Sequence, residues 1–237
     1  MSTTTLTAAA LALLIAACAT EKRSDTAADT AAGTMRTDAD QPQADPDQPQ
    51  AGTGVPAGYT AITDKPDAKI TDAKYSVTGS RWEVRTGPAH IIYAAKDTAS
   101  GVYAVTTTIE QLEKPRHPEA FGLIFGGQNL DDRARQKYGY FLVRGGGEYL
   151  VKVRDGTATT TVTDWKTSPD IPKEDASGKA TYKLTVHVAP DTVHFMVNGK
   201  LVGAAPKSAL PTGGIAGLRI NHNLHVAVSP VAIAKGK

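Results

Sequence analysis

From Tyr59 onward the chain consists of short runs in which large apolar residues alternate with smaller or polar ones. Phe121, Leu123 and Phe125 form one run, Leu184, Val186 and Val188 another, and Val193, Phe195 and Val197 a third. A period of two marks a strand with one face on a core, and here Val, Thr, Tyr and Ile fill the runs while Gly, Pro and Asp separate them. No stretch carries a helical period over a useful length. About a dozen such segments predict an all-β fold of two packed antiparallel sheets, because one open sheet of that size would leave a bare face and long edges.

Three turns fix the register of the central strands. Asn198-Gly199 is a two-residue hairpin signal, since both positions tolerate the positive φ of a type I′ turn, and it pairs Phe195 with Val202. Ala189-Pro190-Asp191-Thr192 reads as the turn before it, with Pro presetting φ at the second position. That sets Val186 opposite Phe195 and His187 opposite His194, giving a meander from Thr181 to Gly203. Gly145-Gly146-Gly147 brings Arg144 to Glu148, Val143 to Tyr149 and Phe141 to Val151, with the apolar face inward.

The first 58 residues follow different rules. Leu6 to Ala17 is a run of mainly Ala, Leu and Ile that ends at Cys18, the only cysteine. It is shorter than the roughly 20 apolar residues of a spanning helix and has the length of a signal-peptide core. Met1 to Thr7 departs from the secretory pattern in having no Lys or Arg. Ile15-Ala16-Ala17-Cys18 resembles the lipobox of bacterial lipoproteins, which implies cleavage before Cys18, lipidation of its sulfur and, with Ala19 following, transfer to the outer membrane. The alternative is a buried thiol behind an amphipathic helix. Residues 18–58 then lose large apolar side chains, and Asp40-Gln41-Pro42-Gln43 recurs as Asp47-Gln48-Pro49-Gln50. Such a segment cannot offset its ordering entropy and reads as a disordered tether spanning on the order of 35 Å. The domain plan is therefore a signal peptide over 1–17, a lipidated tether over 18–58 and a β-sandwich over 59–237.

Charge narrows the partners. The chain carries 26 basic and 24 acidic residues, a net +2, too little for a polyanion-binding field, so nucleic acid is excluded as the expected partner. The tether holds seven of the acidic residues against three basic ones, which leaves the rest of the chain near +6.

Tyr138-Gly139-Tyr140-Phe141-Leu142-Val143-Arg144 leads into Tyr149-Leu150-Val151-Lys152-Val153-Arg154-Asp155-Gly156, and a Val197-to-Val202 hairpin and Gly213-Gly214-Ile215-Ala216-Gly217-Leu218 follow, with His225 to Ile233 closing the sheet. In this order, from about Tyr75 to Ile233, the chain resembles the concanavalin A-like lectin and glucanase sandwiches, particularly their laminin-G-like and 3-keto-disaccharide hydrolase branch. The resemblance implies a jelly-roll sandwich and a sugar-binding sheet face; its motifs are structural and imply little about activity.

On the face opposite the core, alternation gathers Tyr138, Tyr140, Lys152 and Arg154 beside Thr157, Thr159 and Thr161. Aromatic rings stack on sugar rings while cations and hydroxyls bind their hydroxyl groups, so this reads as a candidate saccharide site; the alternative is a solvated sheet whose Tyr rings and Lys stems cover one another. Trp165, in a polar loop, and Arg219 and His222, near Asn221-His222-Asn223, are further candidate contacts, while Trp82 reads as a core or rim plug. A glycosidase needs two carboxylates about 5–10 Å apart. The Glu-x-Asp-x-x-Glu strand of laminarinase-type enzymes is absent, since Leu112 stands at the central position of Glu110-Gln111-Leu112-Glu113; Glu110 and Glu119 remain as candidate acids. Asn129, Asp131 and Asp132 form an oxygen-rich group that either binds Ca²⁺ or makes an ordinary Asx turn. His187 and His194 share a face but have no evident third ligand for a metal. Three functions stay open: a non-catalytic saccharide-binding module, a saccharide-cleaving enzyme, and an envelope lipoprotein that docks on a protein partner.

Overall fold

The computed structural model describes residues 54–236. Cys18, the signal-peptide segment and the tether before Gly54 lie outside the described residues. Within them there are fifteen strands, two short 3-10 turns and no α-helix. In chain order the strands are β1 (Thr60–Thr63), β2 (Lys74–Thr78), β3 (Arg81–Arg85), β4 (His90–Ala99), β5 (Tyr103–Gln111), β6 (Ala120–Gln128), β7 (Lys137–Arg144) and β8 (Glu148–Asp155). There follow β9 (Ala158–Thr167), β10 (Ala180–Val188), β11 (Thr192–Val197), β12 (Lys200–Pro206), β13 (Gly214–Ile220), β14 (His225–Val228) and β15 (Ala232–Lys235).

Two antiparallel sheets result. One has seven strands in the order β1-β4-β13-β6-β7-β8-β9; the other runs β12-β11-β10-β5-β14-β3-β2, with β15 also pairing with β5. The main core lies between them. Phe121, Leu123, Phe125, Phe141, Val143 and Val151 point in from the first sheet and meet Tyr182, Leu184, Val186, Val193, Phe195 and Val226 from the second. Each such side chain contributes roughly 1.5–3 kcal/mol of apolar burial, and the strict alternation of β5, β10 and β11 leaves one face of the second sheet polar. The first sheet differs, because β6 is buried at eight of its nine positions, so both of its faces are covered. Its β9 edge is exposed and Thr-rich, a polar edge that discourages further strand pairing.

The turns form largely as the sequence predicts. Arg144 pairs with Glu148, Val143 with Tyr149 and Phe141 with Val151. Val186 pairs with Phe195 and His187 with His194. Asn198 and Gly199 both take positive φ, 51° and 80°, as a type I′ turn requires. One register is corrected: Phe195 faces Gly203, not Val202, because a bulge follows the Met196–Leu201 pair. The shift places Gly203 against Tyr149, where a Cβ would come within 2.6 Å of the phenol oxygen, so only glycine fits there without displacement. The folded unit also extends before Tyr59, since Val55 packs on the core and Tyr59 stands edge-on to the buried Trp82 at 4.4 Å.

Candidate functional site

The outer face of the seven-stranded sheet carries the tyrosines and cations that the alternation groups together. Tyr138 pairs with Arg154 and Tyr140 with Lys152, and across the next ladder Arg154 meets Thr159 and Lys152 meets Thr161. The grouping is as predicted, but the exposure is not: Tyr138 is 2% and Tyr140 7% exposed. The expectation of an open aromatic platform is corrected by a second apolar cluster on this face, in which Ile91, Tyr93, Ile124, Leu142 and Leu150 pack with the two tyrosines. Leu130, from the loop between β6 and β7, joins that cluster, and Arg133 in the same loop bonds the carbonyl and hydroxyl of Thr63 at 3.1 and 2.9 Å. The rings are thus floor, while their hydroxyls take no partner among the described residues.

Arg219 completes this floor from β13. Its guanidinium lies 5.3 Å from the centroid of Tyr140 and bonds both oxygens of Asp64 at 2.8 and 2.5 Å. Strand pairing explains the encounter: β13 pairs with β4, β4 with β1, and Asp64 follows β1 directly, its N–H bonded to Ala89 at 2.9 Å. Burial opposes the charge on both groups, but their mutual bonds win, holding the Asp64 carboxyl below its ordinary range and the Arg219 guanidinium above its own. Burial also raises both tyrosine hydroxyls, against the opposing pull of Arg219 and Arg154. The Nε–H of Arg219 is buried with no acceptor among the described residues. Arg154 spends its own Nε–H on Gly156 O at 2.9 Å and takes no further acceptor there, and Lys152 takes none. Beyond Asp64 opens a cleft of about 350 Å³ that includes Lys65 and Asp72.

The other sequence candidates fall elsewhere. Trp165 lies within β9, not in the loop expected of its polar neighbours, and borders the apolar cluster, with Arg144 over one face of its indole at 4.2 Å and Arg144 in turn paired with Glu148 at 2.5 and 2.8 Å. His222 contacts Glu119 at 3.1 Å in the loop between β13 and β14. Glu110 lies on β5 of the second sheet, bonded to Arg81 at 2.8 Å, whereas Glu119 directly precedes β6 of the first. Asp132 caps its own turn, accepting from the N–H groups of Ala134 and Arg135 at 2.9 and 3.2 Å and from Arg135 Nε at 2.6 Å. Asp132 thus makes the Asx turn that is the alternative reading for the Asn129, Asp131 and Asp132 group. His187 and His194 stack at 5.7 Å without a third ligand among the described residues. Asp64 is the contributor that the sequence reading missed. Nothing near it in the chain marks it, and its partner lies 155 residues away.

No family model matches the sequence, and no curated protein is similar to it. Solved structures are similar in fold. A carbohydrate-binding module, CBM66, from Bacillus subtilis superimposes with a TM-score of 0.54 at 16% identity, over 75% of this chain and 96% of that one. A protein of unknown function with a galectin-like fold, also from Bacillus subtilis, gives 0.54 at 12% identity over 75% and 89%. A β-glucanase from Bacillus licheniformis gives 0.51 at 8% identity over 79% and 97%. At these identities the likeness is one of fold, a jelly-roll sandwich of the concanavalin A-like class.

Proposed function

We propose that this chain is a non-catalytic saccharide-binding module, held at the outer membrane of the cell envelope by lipid on Cys18, and that the sugar lies at the rim of this covered face, against Lys152, Arg154 and the edges of Tyr138 and Tyr140. The carrying observation is the set of donors left without acceptors among the described residues around one apolar floor: two phenol hydroxyls, the end of Arg154 and Lys152. A sugar has an apolar ring face and a rim of hydroxyl acceptors, which matches such a surface. The fold supports the same reading, since proteins described as a carbohydrate-binding module and a β-glucanase share it. Binding is favoured over cleavage because Asp64, the carboxylate at this site, is held ionised by Arg219 and cannot donate a proton to a leaving group near neutral pH.

Calorimetry of the full chain with envelope-derived oligosaccharides tests this reading. Arg154→Ala removes charge-assisted bonds worth about 1.5–3 kcal/mol and weakens binding roughly 10- to 100-fold, while a thermal melt shows that the variant, which also loses the bond to Gly156 O, stays folded. Absence of binding to every such oligosaccharide, or equal affinity in Arg154→Ala, overturns the assignment.

A further inference from the structure

The loops at one end of the sandwich hold a constellation separate from the saccharide site. His117 and Glu119 stand two residues apart on the approach to β6, with Pro118 stiffening the link, and His222 comes from the loop between β13 and β14. The same oxygen, Glu119 Oε1, lies 3.1 Å from Nδ1 of His117 and 3.1 Å from Nδ1 of His222. One ligand atom from each of the three residues lies within 4.8 Å of the others, the only such group of three His, Cys, Asp or Glu residues among the described residues. Glu119 is buried, while both imidazoles are about half-exposed. The loops are tied down, because Asn221 N–H bonds Ala120 O at 3.1 Å and Thr86 and Leu224 exchange bonds. Three donor atoms are thus held in place with one side open.

Protons alone do not satisfy this cluster. Asn223, 2% exposed and in the left-handed region at φ 56°, places its amide nitrogen 3.4 Å from Nδ1 of His117 and leaves its Oδ1 buried without a partner among the described residues. In that orientation Nδ1 of His117 must accept from Asn223 and donate to Glu119 at once, which one nitrogen cannot do. Turning the amide aims two oxygens at a single N–H and strands the amide nitrogen instead. A cation at the point where the lone pairs converge removes the clash at His117 Nδ1, because with the amide turned all four converging atoms offer lone pairs. Metal–ligand bonds of about 2.0–2.1 Å in tetrahedral geometry place neighbouring ligand atoms roughly 3.3 Å apart, close to the separations found here.

We propose that His117 Nδ1, Glu119 Oε1 and His222 Nδ1 bind one divalent transition metal of the Zn²⁺ class, with the Asn223 amide oxygen turned toward it. Two imidazoles with one carboxylate select borderline metals over Ca²⁺ and Mg²⁺, which prefer all-oxygen shells. Three side-chain ligands leave a coordination position for water or a ligand oxygen. That position opens between two clefts, since His222 borders the one beside Asp64, and His117 and Glu119 border another of about 290 Å³ beside Arg144. The assignment does not depend on saccharide binding.

Titration of the tag-free, chelator-treated full chain with Co²⁺, read by visible d–d absorption, tests it. One equivalent binds and is displaced by Zn²⁺ but not by Ca²⁺ or Mg²⁺. His222→Gln, a change at a half-exposed side chain, and Glu119→Gln each weaken binding at least tenfold, whereas His187→Gln binds as the parent does. Thermal midpoints without metal check that each variant is folded. Absence of a saturable Co²⁺ signal overturns the proposal. So does a folded His222→Gln that titrates like the parent, or loss of binding in His187→Gln, either of which puts the metal elsewhere.

Discussion

His90, at the start of β4, makes acid stability a quantitative test of the fold. It is completely buried; its Nδ1–H donates to Pro88 O at 2.8 Å, and its Nε2 accepts from the Tyr75 hydroxyl. Accepting from Tyr75 requires the neutral ring, and burial pushes the imidazole down from 6.5 to about 4, with the Pro88 bond, which the charged ring also makes, opposing only in part. Below pH 6.5 the unfolded chain takes up the proton first, so the contribution is fully present above that pH, is lost as pH falls toward about 4 and is flat below. The depression corresponds to roughly 3 kcal/mol, most of it gone by pH 4.5. His90→Gln keeps an oxygen for Tyr75 and does not titrate. Urea unfolding at pH 7 and pH 4.5, followed by the fluorescence of Trp82 and Trp165, gives the difference directly. The parent is expected to lose about 2–3 kcal/mol more than His90→Gln over this interval. Equal losses refute a buried neutral His90, because the carboxylates that also titrate there are common to both proteins.

Two substitutions probe the layers on either side of the seven-stranded sheet. Leu130→Ala uncovers the outer apolar cluster and is expected to lower unfolding free energy by about 2–3 kcal/mol in urea titration; a change below about 0.5 kcal/mol shows that the loop does not seal that face. Gly203→Ala forces a methyl against the buried Tyr149 ring and is expected to cost about 1–3 kcal/mol in the same assay, whereas an unchanged midpoint contradicts the bulged register of β11 and β12.

Where the chain states its own geometry locally, the sequence is readable. The triple-glycine turn carries the whole β7–β8 register, and period-two alternation alone assigns Tyr138, Tyr140, Lys152 and Arg154 to one face. Burial of that face is not readable, because what covers it arrives from distant segments: Ile62 from β1 and Leu130 from a polar loop in which a single leucine gives no period. The Asp64–Arg219 pair and the approach of His222 to Glu119 are hidden for the same reason, since each depends on sheet order rather than on spacing along the chain. The bulge after Phe195 went unforeseen because the Asn198-Gly199 turn fixes only the first two pairs of its hairpin, and the register beyond them answers to Tyr149 on the opposite sheet.

Sugar held on the outer face of the seven-stranded sheet is tested most directly by an NMR titration of the isotope-labelled chain with envelope oligosaccharides, observing side-chain Nε–H signals of Arg154 and Arg219 along with backbone amides. Saturable shifts of both arginine signals are expected, with amide changes confined to the neighbourhood of Asp64, Tyr138, Tyr140 and Lys152. Shifts clustered instead on β10, β11 and β12, or none at all with a sugar that calorimetry shows to bind, contradict this placement.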